Sequence, residues 1–329
     1  MSAFSQLFRL RALEVLRARA SAVFFFAVPL VLLAALAVTF ANGHPFERRR
    51  VALVGPVPGG ALPPEVLLVP TRDEPLALRW LSTHTLDAVL VTRGPPRVLT
   101  GPRGRLLGEG LAGRVPGAAV TTVPLPRWGY VHYLFPGLLA FTVLTSGLFG
   151  MGGALLRDRE NRFLRKLALT PLSRATFVAA QGSARGLLVL GQSALLTAAA
   201  WLCFALPLTP WRALGLLALA ACGLVVFLGL GLALACLVRA EALLVDAIFA
   251  LTTPMVLLSE AFYPASELPE PLARTATFLP TTQLVRLGRV VLLDPSPSPR
   301  ELLPGLGILV LWALLGFALG LAFFRWTED

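Results

Sequence analysis

Apolar residues in this chain gather into long unbroken runs. Six of them cover residues 22–41, 134–156, 176–206, 213–238, 242–261 and 303–324. Each reaches the roughly 20 residues that a helix needs to cross a bilayer core. A helix satisfies its own backbone hydrogen bonds in lipid, so every run predicts a transmembrane helix. The third run exceeds one membrane thickness, which predicts that its first turns, with Gln181 and Arg185, stand at the interface. Residues 42–129 follow a different pattern. Prolines, glycines and arginines punctuate short β-type runs, "RVALVG", "EVLLVP", "LDAVLVT" and "AAVTTV", with helical patches in "DEPLALRWLSTH" and "GRLLGEGLAG". Turn signals at these intervals predict a small α/β domain. Ahead of the first run, Phe4, Leu7, Phe8, Leu13 and Leu16 interleave with arginines, so residues 1–21 predict an amphipathic helix lying on the membrane surface. The fold class expected is an all-α polytopic membrane protein with six transmembrane helices and a small α/β domain between helices 1 and 2.

Composition points the same way. The chain is 56% hydrophobic and 14% charged, where soluble domains carry about 25% charge. The net charge of +11 is unevenly placed. Arg9, Arg11, Arg17, Arg19, the cluster from Arg157 to Lys166, Arg174, Arg239 and Arg325 fall on one set of connections. Acidic Glu267, Glu270, Asp294 and Glu301 offset arginines on the other set. This bias predicts both termini in the cytoplasm, residues 42–129 outside, and multi-pass insertion in the plasma (inner) membrane. The positive excess therefore reads as topology facing anionic lipid, and nucleic acid is not the expected partner. Basic residues before an apolar core also resemble a signal peptide. The core of about 20 residues exceeds the usual 7–15, which favours a retained span.

Sites for chemistry are scarce. Lys166 is the only lysine, and no glycine-rich phosphate loop precedes it. Gly55, Gly59 and Gly60 miss the dinucleotide-binding spacing and predict a strand followed by a turn. Cys203, Cys222 and Cys236 lie within predicted spans without metal-ligand spacing. Gly191-Gln192-Ser193 resembles the nucleophile turn of intramembrane serine proteases, but His44, His84 and His132 all precede the serine. No cofactor and no catalytic residue is expected. Asp246 and Glu260, at the two ends of the fifth run, keep a proton-coupled secondary transporter as the alternative. Gly182-xxx-Gly186 and Gly316-xxx-Gly320 allow close helix contact without locating an interface.

The cluster "RDRENRFLRKLALTPLSR" stands between two apolar runs. A helix across residues 161–169 sets Phe163, Leu164 and Leu167 on one side and Arg162, Arg165 and Lys166 on the other. Such a helix suits docking into a soluble partner's groove, or anchorage by lipid alone.

With its continuation "ATFVAAQ", this stretch resembles the coupling segment of permease subunits in type-2 ABC exporters. "LTTPMVLLSEAFYPASELPEPLARTATFLPTTQLVRLGRVVL" resembles the family's fifth span and the outer loop after it. The likeness runs in order from about Leu134 to Asp329, and the six-span layout fits it. Two departures stand out: Glu260 replaces a frequent glycine, and Arg162-Phe163-Leu164-Arg165 replaces G-T-L-E. The resemblance implies a coupling helix within 157–175 that touches an ABC ATPase subunit through Arg159, Glu160, Arg162, Phe163, Leu164, Arg165, Lys166, Thr170 and Pro171. It implies an outer loop over 262–302 with short re-entrant helices and a gate of Glu260, Phe262, Pro264, Pro269 and Pro280. It further implies ATP bound by the partner, export of a substrate, and a second permease chain, alike or different.

Overall fold

The computed structural model describes residues 3–17, 27–35, 49–57, 66–71, 73–82, 86–101, 104–123, 130–238, 241–261, 269–294 and 297–325. The chain divides into two compact units, one helical and one α/β. The helical unit begins with α1 (Ala3–Arg17) and α2 (residues 27–35). The rest of the expected first span lies outside the described residues.

In the α/β unit, strands β1 (Arg49–Val54), β2 (Val66–Thr71), β3 (Ala88–Val91), β4 (Arg97–Thr100) and β5 (Ala119–Thr122) form one sheet in the order β2-β1-β3-β4-β5. β1 runs parallel to β2 and β3, β3 antiparallel to β4, and β4 parallel to β5. Helix α3 (Glu74–Ser82) places Ala77 and Leu81 on one face of the sheet, against Val54 and Val89. Helix α4 (Arg105–Ala112) places Leu111 on the other face, against Leu53 and Leu90. Burial on both faces explains why β1 and β3 read as continuous apolar runs. Strand β1 ends at Gly55, whose φ of 126° suits glycine. Strand β4 carries no signal of its own, being four residues between Pro96 and Gly101.

The helical unit continues with α5 (Tyr130–Glu160), α6 (Phe163–Ala168), α7 (Arg174–Phe204), α8 (Pro210–Leu237), α9 (Glu241–Leu258), α10 (Glu270–Ala276), α11 (Pro280–Leu293) and α12 (Pro299–Phe323). Among the described residues, four of these are long and apolar enough to cross a membrane: α5 from Val131, α7, α8 and α12. Helix α9 has 18 residues, or about 27 Å, just short of a bilayer core of about 30 Å. Local chemistry sets the ends. Ser173 Oγ accepts the Thr176 amide at 3.1 Å and starts α7. Ala205 then takes a left-handed φ of 49° and stops it, ahead of Pro207. Thr209 caps α8, and Pro210 occupies its first turn.

Helix α8 is the axis of the unit, buried along Leu224, Val226, Phe227 and Leu232. Two of the glycines singled out by pattern determine how closely α12 approaches it. A Cβ at Gly316 would stand 2.7 Å from the Gly229 carbonyl carbon, and one at Gly320 would stand 2.6 Å from Leu232 Cγ. The other pair imposes no such limit, since a Cβ at Gly182 would meet Leu228 at an ordinary 3.4 Å. Gly316→Val is therefore expected to force α12 off α8 and destabilise the protein by about 1–3 kcal/mol. Gly182→Ala should hold or raise the thermal midpoint in the same detergent. Equal midpoints for the two variants would contradict close packing at Gly316.

Candidate coupling and gating sites

Two charged clusters close the two ends of the helical unit. The first forms where α5 ends. Arg157, Asp158, Arg159 and Glu160 belong to the last turn of α5, so the segment expected as a single coupling helix over 157–175 has three parts. Arginine and glutamate favour helix, which carries α5 past its apolar run. Arg162 then adopts a left-handed φ of 53° and reverses the chain into the six-residue α6. Turn residues 169–173 follow, with Thr170 Oγ1 donating to Leu167 O at 2.7 Å.

Successive side chains of that last turn reach different neighbours. Asp158 is buried and forms an ion pair with Arg11 of α1, itself buried. Arg11 also donates to Glu14 at 2.8 Å, and its guanidinium stands 5.0 Å from the Phe163 ring and 5.9 Å from that of Phe177. One cation thus joins α1, α5, α6 and α7 through charge and aromatic faces. Arg159 Nη1 donates to Ala235 O at 2.5 Å, capping a carbonyl in the last turn of α8. Phe177 meets Phe324, just past α12, with ring centroids 5.9 Å apart.

This packing corrects the expected orientation of α6. Leu164 is 2% exposed, and Phe163 and Leu167 pack against the same core. The apolar side that pattern offered to a partner's groove is occupied by the chain's own α1, α5 and α7. Arg162, Arg165, Lys166, Thr170 and Pro171 remain on the surface, with Glu160 beside them. Leu169, not anticipated, is 89% exposed at the tip. Arg11 and Asp158 were not anticipated either; the available signal was a lone acid inside a basic run and an arginine four residues from buried Leu7.

The second cluster closes the other end. Glu260, just past α9, accepts from Arg286 at 2.5 Å, while Arg289 reaches both its carboxylate, at 3.6 Å, and its backbone carbonyl. Arg286 and Arg289 come from α11, so two cations hold the end of α9 onto that helix. Thr281 Oγ1 adds a hydrogen bond to Met255 O at 2.9 Å. Close approach to α5 depends on Gly137, where a Cβ would stand 2.5 Å from Ala261 O. Pro269 precedes α10, and buried Pro280 starts α11. Phe262 and Pro264 lie outside the described residues. Asp246 is exposed on α9.

Both clusters fall largely within one recognisable stretch: residues 110–293, more than half of the chain, match the ABC-2 type transporter family. The chain belongs to that family. Among curated proteins, none matches the chain. As an ABC-2 type permease it is a transport component of the membrane, with helices of matching length and apolarity. The permease keeps the α5–α6–α7 corner and the α9–α11 cluster inside the matched stretch, whereas Arg11, which organises the first, lies before it.

Removing Arg11 leaves Asp158 buried without its partner, which typically costs about 3–5 kcal/mol. Replacing both by leucine removes the charge with the pair and should cost much less. Arg11→Leu should therefore lower the unfolding midpoint of the permease far more than Arg11→Leu combined with Asp158→Leu. The reverse order would show that the pair does not hold this corner together.

Proposed function

We propose that this permease is the membrane-spanning subunit of an ATP-driven exporter, energised by a separate ATPase that docks on the exposed face of α6 and the turn after it. The observation that carries this reading is the division of α6 into two sides. Its apolar side is fastened to α1, α5 and α7 through Arg11, Asp158 and Leu164. Its basic side, with Leu169, Thr170 and Pro171, faces outward. A push on that face is delivered to helices already bonded together, including α8 through Arg159. ATP is bound by the partner, and this chain performs no covalent step.

In this reading the α6 end is cytoplasmic, with both termini, and the α/β unit lies outside. The arginine bias along the chain supports that orientation. The Glu260–Arg286–Arg289 cluster then stands at the outer end, where separation of α9 from α11 would open the exit. Two permease chains enclose the path. The proton-coupled alternative gains no support, since Asp246 is exposed and Glu260 is held by two arginines.

Reversing Arg162, Arg165 and Lys166 to glutamate should weaken ATPase binding while leaving the fold intact. Exposed pairs contribute about 0.2–1 kcal/mol each, so the triple change predicts roughly a 3- to 150-fold loss of affinity by titration in detergent. Leu164→Ser, which opens the core, should instead lower the unfolding midpoint. Undiminished co-purification of the triple variant with the ATPase, at matched expression, would refute the docking face. Orientation is tested with Cys203, Cys222 and Cys236 replaced by alanine. An impermeant maleimide should label Arg93→Cys on intact cells and Arg165→Cys only after permeabilisation; the opposite pattern inverts the topology.

A further inference from the structure

Helix α11 begins deep inside the helical unit. A Cβ at Gly223 of α8 would meet both Leu284 of α11 and Val143 of α5, and one at Gly288 would meet Pro136. Helices α5 and α11 therefore run in opposite directions, and α11 starts one turn deeper than Leu284. At about 1.5 Å per residue, that places Pro280 level with about Gly147, close to the middle of α5. The first amides of a helix have no acceptor within it. In α11 the bonded series opens with Gln283 N, which donates to Leu279 O at 3.1 Å, so Thr281 and Thr282 precede it.

Unpartnered hydroxyls gather at the same depth. Thr282 is fully buried and Thr252 of α9 is 7% exposed, and neither hydroxyl has a hydrogen-bond partner among the described residues. Polar groups withdrawn from water are normally bonded. Helical spacing sets both hydroxyls along one seam. Thr282, Arg286 and Arg289 fall at i, i+4 and i+7 on α11, and the two arginines reach Glu260 just past α9. Thr252, Met255 and Ser259 form the corresponding buried stripe of α9. Thr281 Oγ1 joins the two helices by donating to Met255 O at 2.9 Å. The seam between α9 and α11 is thus polar from Thr252 and Thr282 up to the Glu260 cluster.

Amides at a helix start carry its positive end, and guanidinium groups donate without accepting. Both seek oxygen acceptors, and a helix that starts within a membrane protein suits an anionic group. Beside the seam, Leu257 and Phe278 are 54% and 68% exposed, an apolar border for the rest of such a molecule.

We infer that the α9–α11 seam binds an anionic oxygen of the transported molecule at Thr282 and the first amides of α11. The apolar body of that molecule lies alongside Leu257 and Phe278. This inference rests on the exporter reading, in which α9 parts from α11. Parting breaks the Thr281–Met255 bond and uncovers the first turn of α11. The oxygen then passes along the stripe from Thr282 to Arg286 and Arg289, where it takes the place of the Glu260 carboxylate.

Trp312 Nε1 donates to Phe278 O at 2.8 Å, so its emission reports on the turn that leads into α11. The test uses the whole permease with every other tryptophan changed to phenylalanine. Two probes are titrated: dodecanoate brominated beside its carboxylate, and the neutral methyl ester of the same compound. The carboxylate should quench Trp312 saturably, and the ester only in proportion to its amount in the micelle. Thr282→Val combined with Thr252→Val should weaken carboxylate binding about tenfold or more, the scale of lost hydrogen bonds to a charged group. The unfolding midpoint of that variant should hold or rise, because valine keeps the shape and removes two unpartnered hydroxyls. Glu260→Gln removes the competing carboxylate and should tighten binding. No saturable quenching, or equal quenching by both probes that neither variant changes, would overturn the site. The titration involves the permease alone, so a failed ATPase partnership would leave its outcome unaffected.

Discussion

The Arg11–Asp158 ion pair is the contact on which one whole end of this protein depends. Both partners are buried, and two charges removed from water are expensive unless each meets the other in good geometry with further partners. Here the further partners are Glu14 and the faces of Phe163 and Phe177. Because those groups come from four different helices, satisfying one cation sets the mutual position of α1, α5, α6 and α7. Arg159 adds α8 from the same turn of α5, and Phe177 adds the end of α12. A short helix such as α6 has little stability of its own. It persists because Leu164 is anchored in the core and Phe163 is covered by Arg11.

The opposite end uses the same device with the signs reversed. There a single carboxylate, Glu260, gathers two arginines of α11 and ties them to the end of α9. The middle of the unit relies on close backbone approach, chiefly where Gly316 lets α12 lie against Gly229 of α8. Helices in lipid gain no hydrophobic drive from touching one another, so contact falls to small residues and to polar groups. The ends are thus held by ionic contacts and the centre by glycine packing.

Much of this organisation was legible in the chain. Runs of apolar residues located α5, α7, α8 and α12, because a helix in lipid must be apolar over its whole length. Short β-type runs between turn residues located β1, β2, β3 and β5, and the arginines of α6 fell on the side that pattern assigned to them. Boundaries were harder. α5 was expected to end with its apolar run at 156 and instead continues to Glu160, because charged residues that favour helix end a membrane run without ending the helix. β4 was hidden, because its four residues stand directly between Pro96 and Gly101 with no longer β-type run around them.

The sequence by itself determined the class of this protein, because solvation by lipid acts on each segment alone and leaves its mark in composition. It also determined membership of the ABC-2 type transporter family, through short motifs kept in order. Tertiary structure alone decided which charges are partners. Arg11 and Asp158 stand 147 positions apart, and no local pattern records a contact between them. The same holds for the direction of Leu164, which the amphipathic pattern offered to a partner's groove or to lipid and which the structure buries in the chain's own core. Periodicity states that one side of a helix is apolar, and only the neighbouring helices determine what covers it.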